Sequence, residues 1–289
     1  MKQFPPSELL INDDGSIFHL HVKPEQLADK VILVGDPGRV ALISSMFDSI
    51  ECTISNREFN TVTGSYKGKR LTVVSTGIGT DNIDIVVNEL DALANIDLKT
   101  RTEKSDFRPL TLVRIGTSGA MQPDIPLGSF LISEKSIGFD GVLNFYARRN
   151  DVSDLDFEKS LKEQLEWNPL FCSPYVVDSD RELVNQIGED DMLRGVTISA
   201  NGFYGPQGRE LRLKLADPHL NDKIERFRYG KYKITNYEME SSAIAGLAKL
   251  MGHRAMTVCC IIANRRVEDS NTDYQPYIEK LVKTVLDRI

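Results

Sequence analysis

Val31-Ile-Leu-Val-Gly-Asp-Pro-Gly-Arg-Val40 runs four aliphatic residues into a turn of glycine, aspartate and proline, and then into the start of a helical pattern. Four consecutive apolar residues leave no polar face. The strand they form is therefore buried on both sides, as in a parallel sheet covered by helices. Gly35 and Gly38 let backbone approach closely, and Arg39 opens a helix over Arg39–Met46. Working outward, the same order of buried strand, turn and helix recurs. Apolar runs rich in β-branched residues lie at Leu71–Ser75, Leu110–Ile115, Ser129–Ser133 and Met256–Ile262. Helical patterns follow at Asp81–Ala94, from Glu182–Asn185 onward, and at Ser241–Met251. The alternation predicts an α/β fold with a mostly parallel sheet flanked by helices, as one domain over residues 1–289, since no Pro/Ser-rich linker or repeat divides the chain. Leu98–Pro109 is dense in charge and reads as an exposed loop, and Asn150–Glu158 as a polar surface segment.

Composition narrows the function classes. With 41% hydrophobic residues in 289 the chain can bury a sizeable core. Its 42 acidic against 35 basic side chains give a net charge of -7, which argues against a nucleic-acid groove or an anionic membrane surface. An anion site must then be local. Cys52, Cys172, Cys259 and Cys260 include no Cys-x-x-Cys pair, and the adjacent two fall in an apolar run, as reduced core thiols do. No cationic start precedes an apolar core at the N-terminus, and no apolar run approaches the roughly 20 residues that span a bilayer. The expectation is a soluble cytoplasmic protein with no membrane partner.

Two turns could hold an anion. One is the Gly35–Arg39 turn, where unpaired N–H groups at a helix start favour negative charge; the alternative is an ordinary strand-to-helix turn with a solvated arginine. It is neither a P-loop nor a dinucleotide fingerprint. The other is Leu112-Val-Arg-Ile-Gly-Thr-Ser-Gly-Ala120. Arg114 lies in a strand that otherwise reads as buried, so it requires a charged partner or ligand, because an unpaired guanidinium there costs several kcal/mol. Gly116-Thr-Ser-Gly119 reads as a turn offering amides and the Thr117 hydroxyl near the strand end, where open α/β sheets bind ligands. In Asn236-Tyr-Glu-Met-Glu-Ser-Ser-Ala-Ile-Ala-Gly-Leu-Ala248, Glu238 and Glu240 stand at the mouth of an apolar helix. They either cap that helix or address a polyol.

Gly35-Asp-Pro-Gly-Arg39, Ser75-Thr-Gly-Ile-Gly79, Arg114-Ile-Gly-Thr-Ser-Gly119, Gln207-Gly-Arg209 and Glu238-Met-Glu240 occur in the order found in nucleoside phosphorylases of the type I family, which the chain resembles from about His19 to Arg265. Within that family it most resembles the uridine-cleaving members. The resemblance implies a partly barrel-like central sheet, uridine and inorganic phosphate as substrates, no organic cofactor, and a homo-oligomer whose active sites are shared between subunits. By similarity, Gly35, Arg39, Arg114 and Thr117 bind phosphate, with Arg57 lent across a subunit interface. Met239 packs on the ribose, Glu240 accepts from its hydroxyls with Glu238 close by, and His19 reaches the sugar 5′-hydroxyl of the neighbouring site. His21, two residues on, is the alternative to His19.

The base site follows from the same resemblance. In Gly202-Phe-Tyr-Gly-Pro-Gln-Gly-Arg209, Phe203 stacks on the base and Gln207 and Arg209 bond its edge, with Gly119 nearby. Uracil presents two carbonyls around one N–H, which an amide and a guanidinium complement, and the arginine stabilises a leaving base anion. Arg114, Arg209 and Gln207 are thus the catalytic candidates. Relatives acting on purines usually carry an aspartate near the point where this chain has Asn264, which cannot serve as an acid; Arg265 supports Arg209 or the base-site water structure. The alternatives are a purine or broad-specificity phosphorylase, or a non-catalytic nucleoside sensor. Some relatives bind a monovalent cation between subunits at the glutamate matching Glu58, but Thr80-Asp-Asn82 departs from their pattern and argues against its retention. The charged Leu98–Pro109 loop favours a dimer over a hexamer.

Overall fold

A computed structural model describes residues 2–267 and 269–289. β1 (Lys30–Val34) leads into α1 (Pro37–Ser44), followed by a meander of β2 (Ser49–Asn56), β3 (Phe59–Tyr66) and β4 (Lys69–Ser75), and by α2 (Thr80–Asn95). A short hairpin, β5 (Ile96–Asp97) and β6 (Thr102–Glu103), precedes β7 (Thr111–Ala120) and β8 (Phe130–Gly138). Next come α3 (Leu155–Gln164), β9 (Tyr175–Asp178), α4 (Arg181–Gly188), β10 (Leu193–Ser199) and α5 (Leu220–Arg226). The last elements are β11 (Ile234–Glu238), α6 (Ser241–Met251), β12 (Arg254–Asn264), β13 (Asp269–Ser270) and α7 (Gln275–Arg288).

Eleven strands form one mixed sheet in the order β13-β12-β8-β10-β11-β7-β1-β4-β3-β2, with β9 added to β8. β12 also pairs with β7, so β7, β12, β8, β10 and β11 close into a five-stranded barrel. Pairing is parallel through β4, β1, β7 and β12 and through β8, β10 and β11; the barrel closes through antiparallel seams at β11–β7 and β12–β8. β1 is buried on both faces, as its composition requires. Val31 and Leu33 pack in the core beneath α2 and α6, and Ile32 and Val34 in the core beneath α1, α4 and α7. Pro37 starts α1 without needing an N–H partner, and the Asp36 carboxylate accepts from Gly38 N at 2.8 Å.

Three readings of the sequence are corrected. Gly116-Thr-Ser-Gly119 is not a turn: β7 continues to Ala120, paired with β12 through Ser118 and with β11 at Gly119. Leu98–Pro109 is exposed but structured. It holds the turn and second strand of the β5–β6 hairpin, and Lys104 Nζ donates to the Leu93 and Ala94 carbonyls at the end of α2, where a cation complements the helix dipole. Asn150–Glu158 is not simply surface, since Phe157 and Glu158 are buried on α3 and the Glu158 carboxylate holds Arg149 at 2.7 Å. Among the described residues no helix is long and apolar enough to cross a membrane.

Candidate active site

Arg114, in mid-strand and only 5% exposed, finds its partners at the end of the next barrel strand and just beyond it. β11 runs antiparallel to β7 with Tyr237 opposite Gly119, which carries the following Glu-Met-Glu segment over β7. Nη2 of Arg114 makes a close ion pair with Glu240 Oε2, and Nη1 lies 3.1 Å from Glu238 Oε2. Gly116 makes this possible, since a Cβ there would stand 2.3 Å from Arg114 Nη1. Burial opposes the guanidinium charge, but Glu240 and then Glu238 outweigh it and raise its pKa. Burial also raises that of Glu240, with Arg114 opposing and Glu238 adding. One cation does not neutralise two carboxylates. Cys259 Sγ, 3.4 Å from Nη1, is a thiol whose pKa burial pushes up to about 12, so it packs against the guanidinium as a neutral group. Arg114 Nε is buried without an acceptor among the described residues.

The two acids have separate tasks. Glu238 caps the helix: its carboxylate accepts from Glu240 N at 2.8 Å, Ser241 N at 2.9 Å, the Ser241 hydroxyl at 2.8 Å and the Ser199 hydroxyl at 2.5 Å. Glu240 instead turns to the loop after β4, taking Gly79 N at 2.8 Å on Oε1. That loop also meets the β1 turn, where a Cβ on Gly35 would lie 3.3 Å from Gly77 O. Arg39 is buried beside Arg114, donating from Nη1 to Ile115 O at 3.2 Å, and burial and then Arg114 lower its pKa. The two neighbouring guanidinia repel each other, and the carboxylates of Glu238 and Glu240 offset that charge. Thr117 lies partly exposed on β7, and no hydrogen bond among the described residues joins it to either arginine. Met239 is half-buried between the two acids.

His19 and Arg57 are joined through Asn56 and Phe18. Glu89 of α2 holds His19, accepting from its backbone N at 3.0 Å and meeting Nδ1 at 2.6 Å; Asn56 Nδ2 donates to His19 O at 2.8 Å. Arg57 is exposed at the β2–β3 turn with φ 55°, its guanidinium 5.7 Å from the Phe18 ring centre. No ion pair or hydrogen bond among the described residues links either to Arg114 or Glu240. His21 is exposed, with φ 57°. Glu58, next to Arg57, accepts from Asn82 Nδ2 at 3.3 Å.

At the base loop a short 3-10 turn, Gly205–Gln207, ends at Gly208 with φ 68°, where a Cβ would stand 2.3 Å from the Asn221 amide. Gln207 is buried, and its Oε1 accepts from Arg209 Nη1 at 2.6 Å. The same Nη1 donates to Phe203 O at 2.5 Å, and the guanidinium lies 3.7 Å above the half-exposed Phe203 ring. Burial and then Arg265 bring the Arg209 pKa down to about 10. Arg265 packs its stem near Gly119, and its Nη1 is buried without an acceptor among the described residues. Asn264 is structural, donating to Gln122 O and Ile125 O and accepting from Arg266 N. The sequence reading missed Glu89, Ser199 and Cys259. β10 was findable from the β-branched run ending at Ser199; nothing local distinguishes Glu89 from other helix acids.

The profile of the Phosphorylase superfamily matches residues 29–287. The uridine phosphorylase of Thermococcus kodakarensis is 31% identical over 273 residues, covering 92% of this chain and 83% of its own length. That of Escherichia coli is 30% identical over 264 residues, covering 88% of each. Among solved structures, a Trypanosoma brucei nucleoside phosphorylase described as showing uridine phosphorylase activity superposes with a TM-score of 0.89 at 28% identity, over 97% of this chain and 98% of that one.

Proposed function

The chain belongs to the phosphorylase superfamily, and from that premise we propose that it cleaves uridine with inorganic phosphate, reversibly, to uracil and ribose 1-phosphate. The observation that carries the choice of uridine is the pair Arg209 and Arg265, two partly buried guanidinia at the base loop that face no carboxylate among the described residues. They suit an aglycone that leaves as an anion, whereas Asn264, spent on main-chain groups, offers a purine ring no proton.

In this reading Gly35, Arg39, Arg114 and Thr117 hold phosphate beneath the sugar, with Arg57 of a second copy. Phosphate oxygen attacks the anomeric carbon as the glycosidic bond breaks through an oxocarbenium-like state. Glu240 accepts from the ribose hydroxyls, Met239 packs on the ring, and His19 of the second copy meets the 5′-hydroxyl. Phe203 stacks on uracil while Gln207 and Arg209 bond its edge and take up the developing charge. No organic cofactor is required, and the Glu58–Asn82 contact supports a protein that does without the intersubunit cation. The reading places the enzyme in cytoplasmic pyrimidine salvage as a homo-oligomer.

The deciding experiment is uracil release from uridine, with inosine in parallel, with and without phosphate. Phosphate-dependent release from uridine alone is expected. Release without phosphate would make the protein a nucleosidase, turnover of inosine would overturn the base assignment, and uridine binding without turnover would mean a sensor. Arg209→Ala is expected to lose about 10²-fold in kcat/KM for uridine and to narrow its preference over inosine; an unchanged preference would assign base reading to another segment.

A further inference from the structure

Beyond Arg209 the chain runs Glu210-Leu-Arg-Leu-Lys-Leu-Ala216, alternating leucine with basic residues in a segment that is neither helix nor strand. In a strand such alternation would bury one face; here Leu211 is 69% and Leu213 85% exposed. They border a cavity of about 730 Å³. Its opposite wall is aromatic: Trp167 lies 4.7 Å from Phe139 and 5.5 Å from Phe171, centre to centre. The Trp167 indole N–H is spent on Cys172 O at 3.1 Å, which fixes the ring in the cavity wall. This volume falls in the range of small-molecule sites, which are mostly apolar with a few placed polar groups. Three of the four charged groups here are cations. Arg209, Arg212 and Lys214 line the cavity, and its acid, Asp217, is already taken by Lys223 at 3.2 Å. Lys214 is paired with Glu210, whereas Arg209 and Arg212 have no carboxylate among the described residues.

We propose that this cavity is a second ligand site, taking a small carboxylate with an aromatic ring, whose ring packs against Trp167 and Phe171 and whose carboxylate is held by Arg212 and Arg209. Arg209 is shared with the base loop. A carboxylate drawing its guanidinium from Gln207 Oε1 weakens uridine binding, so occupancy raises the KM for uridine; this consequence, unlike binding itself, rests on the role given to Arg209 above. By linkage, uridine weakens the carboxylate by the same factor without excluding it.

Trp167 is the chain's single tryptophan and reports on the cavity directly. The test is titration of its fluorescence in the intact protein with 4-phenylbutyrate, its neutral analogue 4-phenylbutanol, and 4-phenylbutyrate against the exposed-site variant Arg212→Ala. A saturable change is expected for the carboxylate, about tenfold weaker for the alcohol and for the variant, with a finite, shifted midpoint in saturating uridine and a raised KM in turnover. No saturable change, or equal binding of acid and alcohol, would overturn the site. Strict competition with uridine would overturn it too, by placing the carboxylate in the base subsite. Inactivity on uridine with the carboxylate-specific Trp167 response intact would sink the proposed reaction and leave this site standing.

Discussion

Arg114 neutralises only one of the two carboxylates it touches, so its environment is short of positive charge until Arg39 is counted, which brings the cluster to balance. In the proposed function, phosphate arriving between the arginines would share Arg114 with Glu240. A planar fork can make both sets of contacts; a single ammonium cannot. Arg114→Lys is therefore expected to keep the folded state and lose about 10²–10³ in kcat/KM, by steady-state kinetics alongside thermal melting. Near wild-type activity would remove Arg114 from the reaction. The need for a partner was legible because a buried guanidinium in an apolar strand admits no other outcome. The division of labour between Glu238 and Glu240 was not. It depends on which oxygens meet the free N–H groups of α6, and sequence spacing cannot assign them.

At the scale of elements, Asp140 ties β9 to α6: its carboxylate accepts from Tyr175 of β9 at 2.9 Å and Ser242 of α6 at 3.0 Å, and from the nearby Val142 N at 2.8 Å. Burial nevertheless raises its pKa above the usual 3.8. A raised carboxyl contributes stability below its unfolded pKa and loses it as pH rises through the folded value. Asp140→Asn, whose amide can donate to either hydroxyl, is thus expected to gain in Tm relative to wild type as pH rises from about 4 toward neutrality. A Tm difference independent of pH would mean that Asp140 is not strained. On β3, a Cβ at Gly64 would meet Ser49 O at 2.2 Å and Phe47 at 2.8 Å. Gly64→Ala should cost about 1–3 kcal/mol in urea denaturation, and an unchanged midpoint would show that β2 gives way freely. Elements with a strong period were legible, α6 over Ser241–Met251 to the residue. The extension of β7 was hidden because Gly116-Thr-Ser-Gly119 has turn composition. Gly116 is there to clear the Arg114 side chain rather than to bend the backbone.

For the whole molecule, Asn56 ties the His19 backbone to the turn that carries Arg57, and no hydrogen bond or ion pair among the described residues links either side chain to Arg114 or Glu240; the proposed function has both completing a second copy's site. Subunit exchange tests this. Arg57→Ala mixed with Arg114→Lys should recover activity that neither variant has alone, approaching roughly a quarter of wild type for statistical dimers. Absence of recovery would mean that each site is built from one chain. The strand–turn–helix units, the doubly buried strand β1 and the demand for a counter-charge at Arg114 follow from the sequence alone, because burial and backbone conformation act over a few neighbouring residues. The closure of five strands into a barrel and the meeting of Arg114 with Glu240, 126 residues away, were decided only in the folded chain. The antiparallel seams β11–β7 and β12–β8 that cause both are long-range pairings, set by the packing of the entire core.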